Sequence, residues 1–267
     1  MHRTTFCASL AKLLFTADEN LEEKFEEFVK PIGQRMDQLL NVNRIEDFRQ
    51  ESVKVALVGL FRDLRGIASA CLNKKTYMLF FEWIYPKYTP LALRALEALY
   101  DVPAVTTPCL KFFAEFVQNK SQRLQFDISS ADGILLFRET SQVLVTYGSR
   151  VITLQTTEQT KYANKLKGAA VCFNILKYAL SGHYVNFGVF SLYGDKALEN
   201  ALGVFIKMLT SMSLSDLMVG LFCTLSFFLF DPLHHFLFFF FFFFSFLFFF
   251  YYYYYFFNFF NFFLCHF

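Results

Sequence analysis

Residues 90–124, PLALRALEALYDVPAVTTPCLKFFAEFVQNKSQRL, constrain the fold of this chain more than any other stretch. Apolar residues recur there at helical spacing on both sides of a Pro-containing turn, which predicts two short amphipathic helices. In the first, Pro90 to Tyr100, the residues Ala92, Leu93, Leu96, Leu99 and Tyr100 share a face, and Arg94 and Glu97 point away from it. Thr107-Pro108 is expected to open the second, because a hydroxyl accepts from orphan amides and Pro at the first helical position gives up an amide with no intrahelical partner. Cys109, Leu110, Phe113, Phe116 and Val117 form its apolar stripe, with Lys111 and Glu115 on the wet side. Helices this short do not persist alone. The pair must bury its faces against neighbours, and a chain that repeats such pairs is an α-solenoid.

The remainder of residues 1–218 repeats the pattern. Thr4 to Phe15 predicts a helix, and Asp18 is placed to cap the next. From Leu21 to Leu40 the helical period runs through Pro31, where a kink or break is expected between Val29 and Gly33. Ser52 begins a cleaner helix to Cys71, with Gly66 a weak point in it, and Lys74-Lys75 reads as a solvated turn. Thr76 to Tyr85 is a strongly apolar helix carrying Trp83, stopped by Pro86. Asn119 to Asp127 reads as a polar connection. Asp132 is expected to cap a helix from Gly133 to Tyr147 that Gly148 ends, followed by a short strand or an extended connector at Val151 to Leu154. A long helix is predicted from Glu158 to Leu180, a packed aromatic connector, with a strand as the alternative, from His183 to Gly194, and a last helix from Asp195, as cap, to Thr210. Six to eight amphipathic segments with almost no strand signal argue for stacked helix hairpins, although no strict period recurs.

The chemistry-bearing residues are sparse. Basic and acidic side chains nearly balance, 25 against 23, with no concentrated basic field, which argues against a nucleic-acid partner. The six cysteines lie far apart without a Cys-x-x-Cys spacing and predict reduced thiols rather than a disulfide framework. No phosphate-cradling loop, zinc-binding His pair or nucleophile elbow occurs. Outside the tail the histidines are His2 and His183 alone, and no catalytic, cofactor-binding or metal-binding residue is assigned. Arg62, Asp63 and Arg65, and Arg138 with Glu139, are expected to serve in interhelix or surface salt bridges. Asn119-Lys120-Ser121 matches a glycosylation sequon by chance, and no signal or transit peptide is expected at the start. The reading is therefore not an enzyme.

After Met218 the composition changes. Residues 219–267 carry no Lys or Arg, one acid (Asp231) and more than half of the 40 Phe. Residues 236–264 are long enough to span a bilayer, yet the Tyr run sits in the middle rather than at the edges, and no basic flank is present. Phe, Ser, Leu, Tyr and Asn are what T-rich codons specify, and Val219 permits a GT at the boundary. The run therefore reads as an aromatic low-complexity tail translated from non-coding sequence, with a tail anchor in a membrane as the alternative.

Several consecutive runs resemble one subfamily of nuclear transport receptors. They are RTTF (3–6), RDLRGIA (62–68), MLFFEWIYPKY (78–88), TTPCLKFFAEFVQNKSQRLQFD (106–127), GILLFRETS (133–141), LKGAAVCF (166–173), SGHYVNFGVFSLYGD (181–195) and SDLM (215–218). In unbroken order they are similar to the central part of the exportin-7 and Ran-binding protein 17 group of the importin-β superfamily. The resemblance implies an all-α, HEAT-like helical-repeat solenoid over residues 1–218, without cofactor. It implies a nuclear export receptor that carries protein cargo through the nuclear pore with Ran-GTP, meets nucleoporins, and works between cytoplasm and nucleus. Two ligand sites on one flexible superhelix, each favouring the same curvature, would couple cargo to Ran. The chain lacks the amino-terminal region where the superfamily's main Ran contacts lie, and the tail stands where carboxy-terminal repeats would continue. A generic helical-repeat scaffold for protein–protein interaction is the alternative.

Overall fold

The computed structural model describes residues 2–16, 19–127, 130–213 and 215–216, and every element in them is helical. The helices are α1 (His2–Phe15), α2 (Leu21–Leu40), α3 (Ile45–Phe48), α4 (Glu51–Ala70), α5 (Lys74–Ile84), α6 (Thr89–Ala98) and α7 (Pro103–Phe116). They continue as α8 (Asp132–Thr153), α9 (Glu158–Lys161), α10 (Lys167–Ser181), α11 (Gly188–Leu192) and α12 (Ala197–Thr210). A π-turn at Tyr162–Leu166 joins α9 to α10, so the two read as the one long helix predicted from Glu158.

Two rows result. In one, α1 packs on α4, α4 on α7 and α7 on α10; in the other, α2 packs on α6, α6 on α8 and α8 on α12. The first-row helices α4, α7 and α10 follow α2, α6 and α8 of the second row in the chain, so the unit is a hairpin and the hairpins stack as a solenoid. The reason is visible in the burial. Leu57, Leu60, Leu64 and Ile67 of α4 are buried on one side, Leu91, Ala92, Ala95 and Leu96 of α6 on another, and neither face is complete without the next hairpin. Aromatic rings gather between α5 and α7, where Tyr77, Phe80, Phe81, Phe112 and Phe116 make stacked and edge-on ring pairs with centroids 5.5–6.4 Å apart.

Several local expectations are corrected. The α2 helix runs unbroken from Leu21 to Leu40 through Pro31. Pro31 and Glu27, whose carbonyl the ring leaves without an amide, are both on the exposed face, where water serves as partner. Asp18 lies outside the described residues, and Asn20 occupies the position before the helix. The second helix of the organising pair opens at Pro103 rather than at Thr107-Pro108: the same proline chemistry acts one turn earlier, and Pro108 is carried inside α7. Lys74-Lys75 is the first turn of α5, capped by the Asn73 side chain accepting from the Thr76 amide at 2.9 Å. Val151 to Thr153 is the end of α8, not a strand. The connector 183–194 contains α11, with Phe190 buried. Asp195 accepts from the Ala197 amide at 2.8 Å, as expected of a cap.

Two glycines, read from the sequence as a weak point (Gly66) and a helix end (Gly148), are places of close approach. A Cβ on Gly66 would sit 2.6 Å from the Thr4 carbonyl and 2.8 Å from the Cys7 Cβ, so this glycine lets α1 lie against α4. Gly148 does not end α8: a Cβ there would meet Val204 Cγ1 at 2.3 Å, and α12 lies against it. Gly66→Ala is expected to cost about 1–3 kcal/mol by forcing backbone from backbone. Urea denaturation followed by circular dichroism measures it, and a midpoint equal to wild type would show that α1 does not need the close contact.

Candidate interaction surface

A solenoid leaves the ends of its helices at two edges, and those ends carry unsatisfied carbonyls and partial negative charge. Here they are met by side chains from elsewhere in the fold. Arg94 of α6 donates to Leu40 at the end of α2 at 3.4 Å, and Arg49 donates to Ala98 at the end of α6 at 2.5 Å. Lys165 reaches Ile152 in the last turn of α8 at 3.1 Å, and the Asn119 amide donates to Gly182, just past α10, at 2.6 Å.

The principal member of this set is Arg123, which is wholly buried. Its guanidinium donates to Ala68 and Cys71 at the end of α4, at 2.5 and 2.8 Å, and to Glu115 and Gln118 at the end of α7. The Glu115 carboxylate lies 3.7 Å away, and the Tyr77 ring lies under the cation at 5.4 Å. A planar fork with five N–H groups suits this role where a lysine ammonium does not. Two consecutive helices of one row are thus tied through one side chain from the connector between α7 and α8. That connector, read from the sequence as merely polar, is a packed part of the scaffold. The backbone turns left-handed at Ser121 and Gln122, and Asn119 accepts from the Leu124 amide at 2.8 Å. The sequon asparagine is therefore committed to two internal bonds.

Other polar groups are structural as well. Asp63, buried in α4, takes a two-pronged pair from Arg3 of α1 at 2.6 Å, with Arg35 of α2 at 3.9 Å. This is an interhelix ion pair, as expected, although Arg62 and Arg65 are not its partners. Arg138 pairs with Asp195 at 3.2 Å, tying α8 to the start of α12, while Glu139 turns inward, where burial raises its carboxyl. Lys111 and Glu115, assigned to the wet side of α7, are half-buried; burial lowers the Lys111 ammonium, and Glu115 binds Lys120 at 2.7 Å. Cys7, Cys71, Cys109 and Cys172 are free thiols. Burial, reinforced by the Asp63 carboxylate, pushes Cys7 up to about 12, so it stays protonated and donates to Asp63 at 3.4 Å. Cys223 and Cys265 lie outside the described residues, as does the whole aromatic tail from 219 to 267.

What the described surface offers is apolar contact. Leu72, Leu192 and Tyr193 are exposed on the edge formed by the links from the first row to the second, the same edge that Arg123 braces. Phe6, Leu10 and Leu13 line the side of α1 turned away from α4, and Leu202 and Ile206 do the same on α12. Among the described residues no cluster of His, Cys, Asp and Glu is arranged to hold a metal ion.

Stacked hairpins with braced helix ends and apolar contact surfaces define a helical-repeat solenoid. Over 217 residues, 81% of this chain, the sequence is 51% identical to Exportin-7-B of Xenopus laevis, of which the match covers 20%. Over the same length it is 48% identical to Ran-binding protein 17 of Homo sapiens, covering 20%, and 41% identical to Exportin-7 of Dictyostelium discoideum, covering 21%. The chain thus spans about a fifth of the length of the curated relatives it matches. No protein-family profile matches the chain, and no solved structure matches it. The matched residues form a helical-repeat segment of the exportin-7 and Ran-binding protein 17 type.

Proposed function

We propose that the solenoid is a working segment of a nuclear export receptor, one that carries protein cargo through the nuclear pore in a Ran-GTP-dependent way and moves between nucleus and cytoplasm. The observation that carries this is the 51% identity to Exportin-7-B over 217 residues, most of the chain. The structure supplies a physical reason for such a role. A receptor that couples two ligands needs a superhelix whose curvature both ligands bias, and hairpins joined through shared braces such as Arg123 transmit a change of curvature from one layer to the next. Its contribution is binding and shape, and no reaction is assigned to it. Nucleoporins and cargo would meet the apolar surface positions, and Ran-GTP would be bound together with residues that this chain, at a fifth of the relatives' length, does not span.

The test follows from that division. A chimera is made in which the matched segment of Xenopus Exportin-7-B is replaced by this chain's residues 2–216. Capture on immobilised Ran is then compared between the GTP-analogue and GDP forms. The chimera is expected to prefer the GTP form by about tenfold or more, within the usual range of allosteric coupling. Equal capture in both forms would sink the transport reading and leave a nucleotide-indifferent helical scaffold. A tail anchor through residues 219–267 is tested by carbonate extraction of membranes, since no helix among the described residues is long and apolar enough to cross a bilayer.

A further inference from the structure

Four basic side chains of the first row answer to no acid. The helices α4, α7 and α10 lie side by side, and the acidic residues on them are already taken: Glu51 by Lys54 at 3.4 Å, Asp63 by Arg3 at 2.6 Å and Glu115 by Lys120 at 2.7 Å. Arg62, Arg65, Lys111 and Lys167 have no ion-pair partner among the described residues. Arg62 and Lys167 are exposed, and Arg65 and Lys111 are half-buried. Arg65 and Lys111 each stand five residues before the last residue of their helix. Arg123 holds those two helix ends together, so the two cations are level in the row. Lys167 approaches from the other neighbour: after burial itself, the charges of Arg65 and Lys167 lower the Lys111 ammonium. Like charges gathered in this way work against the folded chain, and an opposite charge from outside relieves them.

We propose that this face binds an acidic polypeptide segment, laid extended across α4, α7 and α10 with a carboxylate over each helix. Charge complementarity names the partner, and spacing supports the pose. Packed helices stand about 8–10 Å apart, and an extended chain rises about 3.3 Å per residue. A segment with Asp or Glu at every third position therefore offers one carboxylate to Arg62 and Arg65, the next to Lys111 and the next to Lys167. The guanidiniums suit a two-pronged grip, and half-burial leaves Arg65 and Lys111 less screened than cations on an open surface. A single-stranded nucleic acid fits this face less well. Its bases need exposed rings to stack on, and every aromatic residue on α4, α7 and α10 is buried or half-buried. The inference rests on contacts between neighbouring helices, not on where the described residues begin or end, and it does not depend on a transport role.

The test is fluorescence anisotropy of the full chain with a labelled peptide of about twelve residues, Glu at every third position and Ser or Gly elsewhere. The Glu peptide is expected to bind at least about tenfold more tightly than the same peptide with Gln for Glu, and to weaken as salt is added. Lys111→Gln and Lys167→Gln are each expected to weaken binding about two- to fivefold. Melting separates binding from a structural role. Lys111→Gln removes a repelled, half-buried charge, so it is expected to melt at or above the wild-type temperature while binding less. If it melts lower, Lys167→Gln, at an exposed position, decides: weakened binding at unchanged melting supports the proposal, and unchanged binding overturns it. Equal binding of the Glu and Gln peptides, or tighter binding of a single-stranded RNA of the same length, also overturns it.

Discussion

Replacing Arg123 with Met is expected to lower the unfolding free energy by about 3–5 kcal/mol, the range seen when one member of a buried charged network is removed. Met keeps length and apolar volume but donates nothing. The carbonyls of Ala68, Cys71, Glu115 and Gln118 would lose their donor in a site closed to water, and Glu115 would keep a charge with only Lys120 beside it. Against a total stability of roughly 5–15 kcal/mol that is a large share. Arg123→Lys discriminates between causes. It restores the charge but not the fork, and is expected to recover less than half of the loss, because an ammonium reaches neither helix end pair fully. Urea denaturation followed by circular dichroism reports both variants. A loss below about 1 kcal/mol for the Met variant would show that the connector is an ornament on the stack and not a brace.

Phe116→Ala is expected to cost about 3–5 kcal/mol, as for other large-to-small changes at fully closed positions. Phe116 touches the rings of Tyr77, Phe80, Phe81, Phe112 and Phe113, and its own carbonyl accepts from the Tyr77 hydroxyl at 2.9 Å. Phe116→Leu fills most of the hole and is expected to cost half as much or less. Tyr77 lies under the Arg123 cation and also stacks on Phe116 with centroids 5.7 Å apart. The Arg123 and Phe116 sites therefore share a neighbour, and the double variant is expected to depart from additivity by about 0.5–3 kcal/mol. Thermal melts of the two single variants and the double variant give the cycle. Strict additivity would mean that the aromatic cluster and the polar brace act separately.

The alternation of rows was legible because it depends on periodicity. The stripes Leu57–Leu60–Leu64–Ile67 and Cys109–Leu110–Phe113–Phe116 are buried as the spacing of their residues predicts. At several misread positions the meaning is set by a distant neighbour. A glycine in a helical pattern signals a weak turn or an end when read locally, but at 66 and 148 it marks where another helix comes close. Proline was expected to break α2 and to open α7. What decided both cases was whether the freed carbonyl faced water and where an earlier proline already served the first turn. Arg123 was hidden for the same reason. A basic residue among Asn, Lys, Ser and Gln reads as solvated, and no local signal says that two helix ends converge on it.

Helix content, the faces that must be covered, and kinship with exportin-7-type chains were settled by the order of residues, because each depends on near neighbours or on direct identity. Which helices stack, which connector is buried, and which apolar rows remain uncovered were decided only by the tertiary structure. Those outcomes depend on carbonyls, rings and backbones that lie some 40 to 60 residues apart in the chain, as Tyr77 does from Phe116 and Arg3 from Asp63, and meet only when hairpin is laid on hairpin.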